Sequence, residues 1–88
     1  MGELAITFAR SARKDLERLD PQVADRVLDR ITQLTVNPRP AAASKLKGNL
    51  GLWRLRVGDY RVVYSINDAR QLIDVSHVRH RREVYRDL

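Results

Sequence analysis

The chain has 88 residues, carries 17 lysines and arginines against 11 acidic residues for a formal net charge of +6, and contains no cysteine. That length points to one small domain over residues 1–88, able to bury only about two-thirds of the surface its unfolded chain exposes. Disulfides and thiolate zinc sites are excluded, two histidines are too few for a structural metal, and no apolar run approaches the ~18 residues of a membrane span. With no signal-peptide core at the N-terminus, the expected compartment is the cytoplasm.

Leu4-Ala5-Ile6-Thr7-Phe8 alternates apolar and other residues and predicts a first strand. A helix from Ala9 to Leu19 follows, with Ala12, Leu16 and Leu19 on one side. Asp20-Pro21 restarts the chain as a helix, Asp as N-cap and Pro at the first helical position. Val23, Val27, Ile31 and Leu34 recur at spacings of four, four and three, an amphipathic helix that Asn37-Pro38 should stop. The near-balanced charge from Asp15 to Asp29 suits ordinary solvated helices, joined as an antiparallel hairpin.

Arg39 to Leu52 reads as a loop carrying Pro40, Lys45, Lys47, Gly48 and Gly51. Leu52 to Tyr64 then reads as a β-hairpin. Trp53, Leu55 and Val57 alternate with Arg54 and Arg56, and Gly58-Asp59 suits a two-residue turn. That turn pairs Val57 with Tyr60, Arg56 with Arg61, and Leu55 with Val62. A further turn at Asn67-Asp68-Ala69 leads to a strand from Leu72 to Val78. Its alternation is ambiguous: Ile73 and Val75 share one face with His77, while Leu72 and Val78 share the other, as in sheets covered on both sides. The tail Arg79 to Leu88 reads as a loop or short terminal helix. The expected fold is α+β, in the order β-α-α-β-β-β, with a mainly antiparallel sheet packed against the helical hairpin.

The hairpin places Trp53, Tyr60 and Tyr64 on its apolar face, as packing. Its other face sets Arg56 across from Arg61, with Arg54 beside them. Like charges directly opposite destabilise a sheet. Three guanidiniums on one rigid face therefore suit a polyanion, phosphate first; the plain alternative is a solvated face whose arginines snorkel. Between Arg39 and Arg61 lie six basic residues against Asp59 alone. That excess favours nucleic acid or an acidic protein segment.

Gly-rich phosphate loops, paired catalytic carboxylates and nucleophile-elbow serines are absent from the sequence. No cofactor is expected. Arginines, His77, His80 and a terminal tyrosine remain. That set can still cleave RNA without a metal, because the 2′-OH is a built-in nucleophile; the protein must align it and neutralise developing charge.

Lys45-Leu46-Lys47-Gly48, the run Leu52 to Tyr64, and His80-Arg81-Arg82-Glu83-Val84-Tyr85 together resemble the RelE/ParE toxin superfamily of bacterial type II toxin–antitoxin systems. The resemblance covers essentially the whole chain, and the Arg-rich tail ending in Tyr is similar to the RelE branch of ribosome-dependent mRNA endonucleases. It implies a RelE-like fold and a toxin that cleaves mRNA in the ribosomal A site. Arg61 would contact the scissile phosphate, Arg79 would protonate the leaving group or stabilise charge, and Tyr85 would stack on a base. Arg81 would help hold RNA, with Arg82, Arg54, Lys45 and Lys47 adding electrostatic contacts. Arg54 and Arg56 stand where the family often carries lysines. An arginine cannot give up a proton, so Arg56 could clamp phosphate, and the base would be Tyr85, His80 or water. His80 could equally be an exposed loop residue, and Tyr85 could simply pin the C-terminus. Expected partners are a RelB-like antitoxin, in a toxin–antitoxin hetero-oligomer, and mRNA on the 70S ribosome, with no membrane. A ParE-like gyrase inhibitor and a degenerate antitoxin-binding homologue are the alternatives.

Overall fold

A computed structural model describes residues 3–48 and 51–83. The elements are β1 (Ala5–Phe8), α1 (Arg10–Glu17), α2 (Pro21–Gln33), β2 (Ala43–Lys45), β3 (Leu52–Val57), β4 (Tyr60–Asn67) and β5 (Leu72–His80). The strands form one five-stranded sheet in the order β1-β5-β4-β3-β2. All neighbours are antiparallel except β1 and β5, which run parallel, so the sheet is mixed. The α+β class and the two helices follow the sequence reading.

The apolar stripes account for the core. Ala12 of α1 and Val27 and Ile31 of α2 pack with Leu34 against Leu55, Val57, Val62, Tyr64, Ile73, Val75 and Val78 of the sheet. Each large aliphatic buried there contributes about 1.5–3 kcal/mol before entropy is counted. Trp53 and Tyr60 are half-buried against the same cluster, and Tyr64 is fully buried, donating its hydroxyl to the carbonyl of Pro38 at 2.7 Å. All three aromatics pack, as their strand phase predicts.

The hairpin register is the expected one: Val57 faces Tyr60, Arg56 faces Arg61 and Leu55 faces Val62. Gly58 has φ +58° and Asp59 has no positive φ, the pattern of a type II′ turn.

Four local expectations need correction. Part of the loop from Arg39 to Leu52 is β2, which pairs with β3; three residues, Ala-Ser-Lys, offer no apolar alternation to read. Asp20 occupies the N-cap position of α2 but its side chain makes no capping hydrogen bond. That helix ends at Gln33, with Leu34 as C-cap, short of Asn37-Pro38. The alternation of the last strand is ambiguous because the strand carries a bulge. Val63 pairs with His77 but Tyr64 pairs with Val75, so Ser76 is an extra residue and the side-chain phase slips there. Val78 therefore joins Ile73 and Val75 in the core, and His77 turns to the opposite face, across from Val63. Besides these, the tail expected from Arg79 to Leu88 begins later, because Arg79 and His80 complete β5; its part from Val84 to Leu88 lies outside the described residues.

Candidate functional site

Strand phase assembles the site. Arg56 of β3, Arg61 of β4 and Arg79 of β5 occupy one row across three strands, since Arg61 is the register partner of both others. Arg54 sits two residues along from Arg56 on the same face. On β2 the register sets Ser44, not Lys45, opposite Arg54. Arg81 is brought in from beyond β5 because its backbone N–H donates to the carbonyl of Asp59, in the hairpin turn, at 2.7 Å.

The result is an open cleft of about 420 Å³ lined by Ala41, Ala42, Ala43, Ser44, Arg54, Arg56, Arg61 and Arg81. Among the described residues the lining holds four guanidiniums and no carboxylate. Arg61 is held by its own turn: Nη1 donates to the carbonyls of Gly58 and Tyr60, each at 2.9 Å. Arg54 Nη2 lies 3.4 Å from the Ser44 hydroxyl. Asp59 approaches Arg81 Nε only to 3.9 Å, with both side chains well exposed, a weak pairing. Burial, and then the neighbouring cations Arg54, Arg56 and Arg81, push the Arg61 pKa below its usual value. A phosphate placed among them relieves that repulsion and can accept paired hydrogen bonds.

The other expected site residues divide differently. Arg79 starts in the same row, but its Nε donates to Asp15 Oδ2 at 2.9 Å and its side chain lines a second cleft, with Asp15, Arg18, Tyr60 and His80, on the helical side. Arg79 Nη2 lies 3.4 Å from His77 Nδ1. Burial and then the Arg79 charge lower the His77 pKa, which favours the neutral imidazole. His80, offered as an acid or base, does not enter the arginine cleft. It faces Tyr60 edge-on, with centroids 5.5 Å apart, and its Nδ1 accepts the Arg82 N–H at 3.2 Å. Lys45, Lys47 and Arg82 are exposed and do not line the cleft. Tyr85 lies outside the described residues.

Sequence reasoning missed Asp15, which is 8% exposed. The signal was present: Asp15 sits three residues after Ala12 and one before Leu16, on the apolar stripe of the first helix. A carboxylate there requires a partner. Among the described residues no group of three or more histidines, aspartates or glutamates could hold a metal ion. Among the described residues no helix is long and apolar enough to cross a membrane.

Residues 6–85 match the family model of the ParE toxin of type II toxin–antitoxin systems. Toxin RelE of Mycobacterium tuberculosis is 30% identical over 82 residues, covering 92% of this chain and 84% of that protein. Among solved structures, the toxin–antitoxin complex RelBE2 of M. tuberculosis superposes with a TM-score of 0.80 at 28% identity, covering 89% of this chain and 98% of that one. The archaeal RelE–RelB complex of Pyrococcus horikoshii gives 0.78 at 28% identity, covering 90% and 96%.

Proposed function

The chain belongs to the ParE toxin family of type II toxin–antitoxin systems, within the RelE/ParE toxins, and from that premise we propose that it is an endoribonuclease that cuts mRNA in the ribosomal A site. The observation that carries this reading is the cleft of Arg54, Arg56, Arg61 and Arg81, with no lining carboxylate among the described residues. In the reaction the 2′-oxygen attacks the adjacent phosphorus as its proton leaves, the bond to the 5′-oxygen breaks, and that departing oxygen takes up a proton from water. The products are a 2′,3′-cyclic phosphate and a 5′-OH. Arg61, fixed over the turn, is placed to stabilise the charge that builds on the non-bridging oxygens. Arg56 and Arg81 flank it, and Arg54 extends the grip along the RNA. Guanidiniums do not take the 2′-OH proton; water or Tyr85 receives it.

The partner we propose is a RelB-like antitoxin, by extension from the RelB-bound relatives. An acidic segment laid over the cleft would neutralise its arginines and exclude RNA.

One observation favours the second reading, a ParE-like gyrase inhibitor: Arg79, an expected catalytic arginine, is engaged by Asp15 rather than lining the cleft. Primer-extension mapping of mRNA on programmed ribosomes separates the two. Cuts confined to the A-site codon are expected. Intact mRNA together with inhibited gyrase supercoiling would replace the nuclease reading by the gyrase one.

A further inference from the structure

β1 ends at Phe8, opposite Val75, so beyond that point no strand of the described residues lies on the outer side of β5. α1 and its lead-in take over that edge. Ala9 N–H donates to Val75 O at 2.9 Å, the Ser11 hydroxyl donates to Ser76 O at 2.6 Å, and Val78 N–H donates to Asp15 Oδ2 at 3.0 Å. The same carboxylate oxygen receives Arg79 Nε at 2.9 Å. An amide or hydroxyl would satisfy the Val78 N–H as well. A buried carboxylate also demands a cation, and Arg79 supplies it.

Releasing Arg79 to an RNA phosphate would strand the Asp15 charge in a site where it is 8% exposed. Two residues past Arg79, Arg81 binds the hairpin turn through its backbone and enters the cleft. The end of β5 is thus tied to α1 on one side and to the turn on the other.

We propose that Asp15 is a positioning residue: through Val78 and Arg79 it clamps the end of β5 to α1 and so delivers Arg81 to the cleft beside Arg61. Arg79 then serves the clamp, and Arg81 is the arginine that works with Arg61 on RNA. This rests on the nuclease reading above, and it departs from the role that the resemblance assigns to Arg79.

The test compares wild type, Asp15→Asn, Arg79→Gln, the double variant and Arg81→Ala, by melting temperature and by kcat and KM of cleavage on programmed ribosomes. Each clamp single should melt lower, because it leaves one charge uncompensated. The double variant, whose amides can keep the hydrogen bonds, should regain at least about half of that loss and cleave within about threefold of wild type. Arg81→Ala should melt as wild type does and lose about 10²-fold in kcat. A double variant that melts near wild type yet cleaves as poorly as Arg81→Ala would overturn the proposal, since Arg79 would then be acting on RNA. Additive losses in melting temperature would overturn it too, because no clamp would couple the pair. If wild type cuts no mRNA, the nuclease reading fails separately. The clamp is then decided by that melting cycle and by exchange of the Arg81 amide, which should quicken in Asp15→Asn; unchanged exchange would refute it.

Discussion

Arg61 and Arg79 face each other across two paired strands, yet their side chains end in opposite circumstances. Arg61 donates to two neutral carbonyls, has Asp59 nearby as a weak electrostatic counterweight, and shares a cleft with three further cations. Arg79 meets a buried carboxylate, with its own side chain 24% exposed. The difference shows that placement on a strand face does not decide what an arginine does. Its compensation does. A guanidinium crowded by like charge is poised to take an anion from outside, whereas one paired with buried Asp15 has its anion already.

The sharpest way to break that contrast is to truncate each arginine in turn. Arg61→Ala should lower cleavage by about 10²–10³-fold, the scale of losing a preorganised charge-stabilising donor, with the melting temperature unchanged. Arg79→Ala should instead cost stability, about 3 kcal/mol in a urea titration, because buried Asp15 keeps the Val78 N–H but loses the guanidinium paired with it. If the two variants exchange these phenotypes, the contrast is wrong.

Salt sharpens the comparison further. RNA binding by the cleft should weaken steeply as salt rises, and Arg54→Ala should reduce the log–log slope by about one. The stability increment of the Asp15–Arg79 pair should barely respond, since buried pairs are screened little.

The smallest effects lie in pH. The folded-state pKa of His77 is lowered by burial and by Arg79, so as pH falls below its unfolded value the unfolded chain binds the proton first and stability declines. His77→Gln should flatten that acid limb in a series of denaturant titrations. At the alkaline end, burial pushes Tyr64 up to about 12 from 10. Its contribution is fully present below pH 10 and is lost progressively as pH rises from there through about 12. Tyr64→Phe should remove this alkaline slope and also lose about 1 kcal/mol with the hydrogen bond to Pro38.

The hairpin was legible in the sequence because two signals agreed there. Trp53, Leu55 and Val57 set the period, and Gly58-Asp59 fixed the turn, so the register and the Arg56–Arg61 pairing followed. The last strand was less legible because a bulge adds one residue without a compositional mark. Ser76 shifted the phase, sending His77 and Val78 to faces opposite to those the alternation suggested. β2 was hidden because Ala43-Ser44-Lys45 pairs only by virtue of the open edge of β3. For the site, the row of arginines was readable, but the route of each side chain was not. Asp15 could have been found as a carboxylate on an apolar stripe; its capture of Arg79 depended on β1 stopping short of Ser76 and leaving the edge of β5 to α1.

The most direct test of the central claim is single-turnover cleavage of mRNA on programmed ribosomes by purified Arg61→Ala, beside wild type, with folding of both checked by melting. The account predicts A-site cuts by wild type and a loss of about 10²–10³-fold in the variant at unchanged stability. Cleavage by a well-folded Arg61→Ala at the wild-type rate would contradict it, because the crowded cleft would then have no part in the chemistry.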